Sequence, residues 1–231
     1  MSSFLALCQD VHRECGASGT APTGVTSQTG EANRIVSWVK QSWIEIQNSK
    51  NNWRWMRSRF TVNTVADDDT YAYADCTDTI DSAVISRFAR WYPSEFKCYL
   101  TSAGVGSEIW LTEKQWDDFR PLWKIGTQTS SHPADVAIDP QENFVLGPKP
   151  SAVYTVTGDY QKGPQSLTAD ADIPEMPTRF HALIQYEAMR KYAVFNAAPE
   201  VWAEVQDQAA MMVRDLEASQ LPPLNFGDPL C

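Results

Sequence analysis

Two Asp-x-Asp pairs, Asp67/Asp69 and Asp170/Asp172, come closest to reactive chemistry in this chain. Carboxylates two positions apart can hold Mg²⁺ beside phosphate groups. The same spacing is common in turns and linkers, because Asp accepts hydrogen bonds from backbone two residues on, and the surrounding residues favour that use. The three histidines, His12, His132 and His181, are dispersed. None has a Cys, His or carboxylate at metal-ligand spacing, so structural histidines are expected. No Gly-x-Ser-x-Gly, Walker loop, His-Glu-x-x-His or dinucleotide fingerprint occurs. The expectation is a non-enzyme with no catalytic residue, no metal and no cofactor.

Recognition chemistry is better represented. Trp53-Arg54-Trp55-Met56-Arg57-Ser58-Arg59-Phe60 interleaves cations with aromatics, the pattern of a single-strand nucleic-acid platform. An amphipathic strand with aromatics buried between subunits produces the same pattern, and Trp and Arg concentrate at such interfaces. The second reading is preferred, making Trp53, Arg54, Trp55 and Arg57 the candidate subunit interface. The C-terminal residues 221–231 carry Leu221, Leu224, Phe226 and Leu230 among three prolines. This composition fits either a solvated end or a preorganised extended peptide that docks in a partner's groove.

Net charge narrows the partners. The 231 residues carry 19 basic and 29 acidic side chains, a formal −10. A dedicated duplex-DNA binder needs a basic face, whereas an acidic surface suits a wall past which DNA slides. No apolar run reaches the roughly 20 residues of a membrane span, and the N-terminal stretch lacks a basic region before its apolar residues. Synthesis in a cytoplasm without export is expected. Five cysteines without a Cys-x-x-Cys pair are read as reduced, mostly buried thiols. Cys8 and Cys15 are too far apart on one helix to bridge.

The elements that position these residues follow from periodicity. Phe4, Leu7, Val11 and Cys15 mark a first helix capped by Ser2 or Ser3. Residues 16–29 form a Gly/Ser/Thr/Pro loop. A second helix, from about Glu31 to Ser49, carries Ile35, Val39, Trp43 and Ile46 on a stripe widened by Val36 and Trp38. The period then shortens. Residues 53–62 read as a strand, Asp67–Asp69 as a turn, and 70–73 as its hairpin partner. Further strands are expected at 83–91, 96–100, 108–111, 135–138, 144–146 and 152–160. A capping box at Thr112–Gln115 opens a short helix with Trp116 and Phe119 inward. Thr178 caps a helix bearing Phe180, Ile184, Ala188, Tyr192 and Phe195, and Pro199 begins another with Val201, Val205, Met212 and Leu216. The predicted fold class is α+β. An antiparallel helical bundle of N- and C-terminal helices (1–52 and 171–220) carries an inserted small antiparallel β-sandwich or barrel (53–170), followed by an extended tail (221–231).

Several segments together carry a family resemblance. They are Ile35-Val36-x-Trp38-Val39 with Trp43, and Trp53-x-Trp55-Met56-Arg57. Asp139-Pro140 through Phe144-Val145-Leu146-Gly147-Pro148-Lys149-Pro150 into Tyr154 is a third. Tyr160-Gln161-Lys162-Gly163-Pro164 is followed by Asp172-Ile173-Pro174-Glu175-Met176-Pro177 and Phe180-His181-x-Leu183-Ile184. In this order they resemble the head-to-tail adaptor (connector) proteins of tailed bacteriophages. The resemblance implies a structural virion protein at the head–tail junction. It implies a homo-oligomeric ring of twelve copies below the portal protein, joining it to a tail or nozzle protein and letting genomic DNA pass, with no membrane partner and no catalytic residues. Leu221, Leu224, Phe226 and Leu230 are then the expected portal-binding residues. Competing readings are another tail-completion or head-stopper protein and, further off, a metal-dependent hydrolase built on the Asp pairs.

Overall fold

The computed structural model describes residues 2–221 and divides into two compact units, Met1–Trp55 with Pro164–Cys231, and Met56–Gly163. Among the described residues, five α-helices and two sheets make it mixed α+β.

The helical unit contains α1 (Phe4–Glu14), α2 (Gly30–Asn48), α4 (His181–Phe195) and α5 (Pro199–Gln220). Ser3 caps α1 by accepting the Ala6 amide, which satisfies one of the donors orphaned at a helix start. The apolar stripes meet as their spacing requires. Phe4, Leu7, Val11, Ile35, Val39, Trp43, Leu183, Ile184 and Ala188 are all buried, and α4 packs against α1, α2 and α5. Pro199 occupies the first turn of α5, where its missing N–H costs nothing. Thr178 does not cap α4. Residues Thr178–Phe180 form a 3₁₀ turn, and the α-helix begins only at His181, without a side-chain cap. Residues from Pro164 onward cluster with the helices because Gln47 clasps Gln165 through both backbone groups, at 3.0 and 2.7 Å, and Leu167 is wholly buried.

The second unit is a two-sheet sandwich. Its strands are β1 (Arg57–Asn63), β2 (Thr70–Tyr71), β3 (Thr77–Asp78), β4 (Arg90–Leu100), β5 (Ile109–Trp110), β6 (Thr112–Glu113), β7 (Asp135–Ile138), β8 (Phe144–Gly147) and β9 (Tyr154–Gln161). One sheet is ordered β3-β1-β9-β4-β5, the other β2-β8-β7-β6. Phe60, Trp91, Phe96 and Val156 from the first share a core with Tyr71, Val136, Phe144 and Leu146 from the second. Phe60, Trp91, Phe96 and Phe144 meet with ring centroids 4.8–5.8 Å apart, the range of favourable aromatic pairs. The short helix α3 (Trp116–Trp123) covers the outer face of the second sheet, setting Phe119 against Ala137 and Val145.

Several expectations are corrected here. The strand predicted over 53–62 begins at Arg57, after a 3₁₀ turn at Arg54–Met56, because the Trp53 indole is tied to the Ile46 carbonyl at 3.1 Å. Residues 70–71 do not return along β1; they pair with β8. The Tyr71 hydroxyl accepts the Val65 amide and donates to the Asp68 carbonyl, turning the chain into the other sheet. Of the strand expected at 83–91 only Arg90 and Trp91 lie in one: β4 runs from Arg90 through the expected 96–100 segment to Leu100, with an irregularity between Tyr92 and Lys97 where Pro93 offers no amide. Thr112–Gln115 forms no capping box: Thr112 and Glu113 pair with β7, and the helix starts at Trp116 without a side-chain cap. That β6–β7 pair is parallel, so the sandwich is not wholly antiparallel.

Candidate interaction site

The acidic pairs are committed to loop structure. Asp69 receives Lys124 at 2.8 Å and the Thr70 hydroxyl at 2.9 Å, and Asp67 accepts from Ser130. Asp170 accepts the Val25 amide at 2.6 Å, fastening the 16–29 loop, while Asp172 accepts the Thr168 and Ala169 amides at 2.6 and 2.8 Å. Those amides hold the Asp172 carboxyl below its ordinary value. Among the described residues no group of His, Cys, Asp and Glu is placed to hold a metal. The histidines also serve structure. His181 is buried and donates from Nε2 to the Met176 carbonyl at 3.0 Å, and burial lowers its pKa. His132 packs edge-on against Tyr154. Burial pushes the Cys8, Cys15, Cys76 and Cys98 thiols up to about 12, which makes them poor nucleophiles.

The aromatic–arginine segment is dismantled by folding. Trp53 is 1% exposed and stacks on Trp55, with ring centroids 4.4 Å apart, so it has no free face for a base. The Arg57 guanidinium lies 2.7 Å from Asp159 and 4.6 Å over the Tyr92 ring. Arg54 and Arg59 are exposed. Of the C-terminal candidates, Leu221 is half-buried and donates its amide to the Glu217 carbonyl at 3.0 Å. Leu224, Phe226 and Leu230 lie outside the described residues.

What sequence reasoning missed lies on the helical unit. Phe195, expected inward on the α4 stripe, is 54% exposed, and Val194 is 70% exposed. With Trp38 of α2 and Trp202 of α5 they line a groove of about 490 Å³, and a second hollow of about 420 Å³ adjoins it at Ala197, Ala198 and Pro199. Trp38 contacts Tyr192 and Phe195 at 6.0 and 5.6 Å. Cations rim the groove: Arg34 sits 4.3 Å over Phe195, and Arg190 sits 4.9 Å over Trp202 while pairing with Glu187 at 3.0 Å. Lys191 pairs with Glu45 at 2.7 Å. The α4–α5 turn holds Ala197 at φ +51°, a region that non-glycine residues seldom adopt, and this brings Val194 and Trp202 to one patch. The available signal was Trp38, which widens the α2 stripe beyond what one partner helix covers.

Aromatic rings and the polar side chains of Gln41, Glu187, Arg190 and Lys191 share the lining of this groove, while the carboxylates of the two Asp pairs hold the protein's own loops. The family model described as SU10 adaptor protein matches residues 2–224. No curated protein matches the chain.

Proposed function

The chain belongs to the SU10 adaptor protein family, which supports a head-to-tail adaptor role in a tailed phage, and on that premise we propose that it forms the ring joining the portal to the tail. In this reading twelve copies sit below the portal at the head–tail junction, contact a tail or nozzle protein on the far side, and enclose a passage for genomic DNA. The family match over nearly the whole chain carries the proposal. The acidic balance of −10 agrees with it, since phosphates sliding past a net-negative wall are not trapped. Loop carboxylates committed to backbone amides agree with a structural role. Residues 221–231 supply the portal anchor, through Leu221, Leu224, Phe226 and Leu230. Arg54, Trp55 and Arg57 contribute to subunit contact, with Trp53 buttressing them from within.

Electron microscopy of the protein mixed with its portal tests this. A ring of density is expected on the tail-side face of the portal. Density elsewhere on the particle, or none, overturns the reading.

A further inference from the structure

We propose that the outer face of α5 in one copy seats in the α2–α4–α5 groove of a neighbouring copy; the inference rests on the ring reading above and names its contact. Both surfaces belong to the helical unit. On α5, Glu200, Glu204, Asp207, Met211 and Asp215 recur at intervals of four, three, four and four and are all exposed, which places them on one stripe. The buried residues of α5, Val205, Ala209 and Leu216, lie about half a turn away around the helix. Packing within the subunit therefore leaves a complete second face: an acidic ridge that carries Met211, 65% exposed, between Asp207 and Asp215. Arg214 flanks it.

The groove is the complement of that ridge. Its aromatic floor of Trp38, Phe195 and Trp202 matches a methionine, whose sulfur packs well on ring edges and adapts to irregular gaps. Arg34, held over Phe195, faces the carboxylates, and Arg190 and Lys191 add charge that Glu187 and Glu45 share. An exposed apolar patch rimmed by polar groups marks a protein contact, and opposite charge fixes register. Ridge and groove are different surfaces of the same chain, so their contact is heterologous and propagates from copy to copy until a ring closes.

The test uses the full chain with Cys231→Ser, which leaves only the four buried thiols, and adds Met211→Cys with Val194→Cys. Met211 lies about 18 Å along α5 from its first residue, too far from Val194 for an internal disulfide. Oxidation of portal-assembled protein should give a ladder of covalent oligomers, while each chain with only one of the two added cysteines gives at most dimers. In parallel, Glu204→Lys with Asp207→Lys should lower ring occupancy about tenfold or more, and Arg34→Glu in the same chain should restore part of it. Unchanged melting of the free subunits shows that these chains fold. Portal-bound rings with no ladder and full occupancy of the charge variants overturn the ridge–groove contact while the adaptor reading stands; a change in DNA passage in those variants would assign the ridge to the channel instead. Failure of the wild-type chain to bind portal overturns both.

Discussion

Asp78 shows how a residue that looks reactive is spent on the fold. Its carboxylate accepts the Tyr160 hydroxyl at 2.6 Å, the Ser58 hydroxyl at 2.7 Å and the Ile80 amide at 2.7 Å. Burial by itself would raise its pKa; those hydrogen bonds and the charge of Lys162 outweigh burial and hold it below the ordinary value. A depressed folded pKa means that the ionised carboxylate stabilises the fold above the unfolded value of about 4, and this contribution is lost as pH falls through the lower folded value. Asp78→Asn should therefore cost about 2 kcal/mol near neutral pH. Its deficit against wild type should shrink only in strong acid. Urea titrations from pH 3 to pH 7 check this, and a deficit that grows on acidification would contradict it. The local sequence of Asp78 marks it only as a turn residue through the Ile80 amide, since its two hydroxyl partners, Ser58 and Tyr160, come from β1 and β9.

At the scale of elements, β9 shows what close approach demands. A Cβ added to Gly158 would lie 2.5 Å from Phe96 Cδ1 and 3.0 Å from Phe60 Cε1, in the centre of a five-stranded sheet. Gly158→Ala should destabilise the sandwich by about 1–3 kcal/mol, read as a lowered urea midpoint. The arginines at and just before the start of β1 give the opposite expectation. With Arg57 paired to Asp159, replacing Arg54, Arg57 and Arg59 by Ser should leave single-strand DNA affinity weak and its salt dependence unchanged. A large loss with a shallower salt slope would restore the stacking platform. The helices were legible in the chain because Ile35, Val39, Trp43 and Ile46 recur at helical spacing and are buried together. Strand existence was legible as well, but pairing was not. That 70–71 pairs with β8 is decided by Tyr71 hydrogen bonds and by sandwich packing, neither of which leaves a periodic trace. The groove was missed for a related reason: Phe195 continues the α4 stripe in sequence, yet α4 ends at that residue, and its contacts with Trp38 and Arg34 leave about half of it exposed.

For the whole molecule, the question is which surfaces a subunit keeps for its neighbours. Both units bury their own apolar residues, and the carboxylate loops fasten their own backbone, so attachment falls to features the fold leaves over. Residues 221–231 are the proposed portal anchor. They hold three prolines together with Leu221, Leu224, Phe226 and Leu230, where a solvated end would carry Ser, Gly and Lys. Proline lowers the entropy lost when an extended peptide docks, and each Leu or Phe buried on a partner contributes about 1.5–3 kcal/mol. Docking several such side chains repays the ordering of a short peptide, and the described helical core is built from Phe4, Trp43, Leu183 and their neighbours. Deleting residues 221–231 should therefore leave the melting temperature within about 2 °C of the full chain and abolish capture on immobilised portal. Phe226→Ala should weaken capture more than Leu221→Ala, because Leu221 is already half-buried on its own subunit and has less surface left to give. Portal capture that survives the deletion would overturn the assignment of the anchor to residues 221–231.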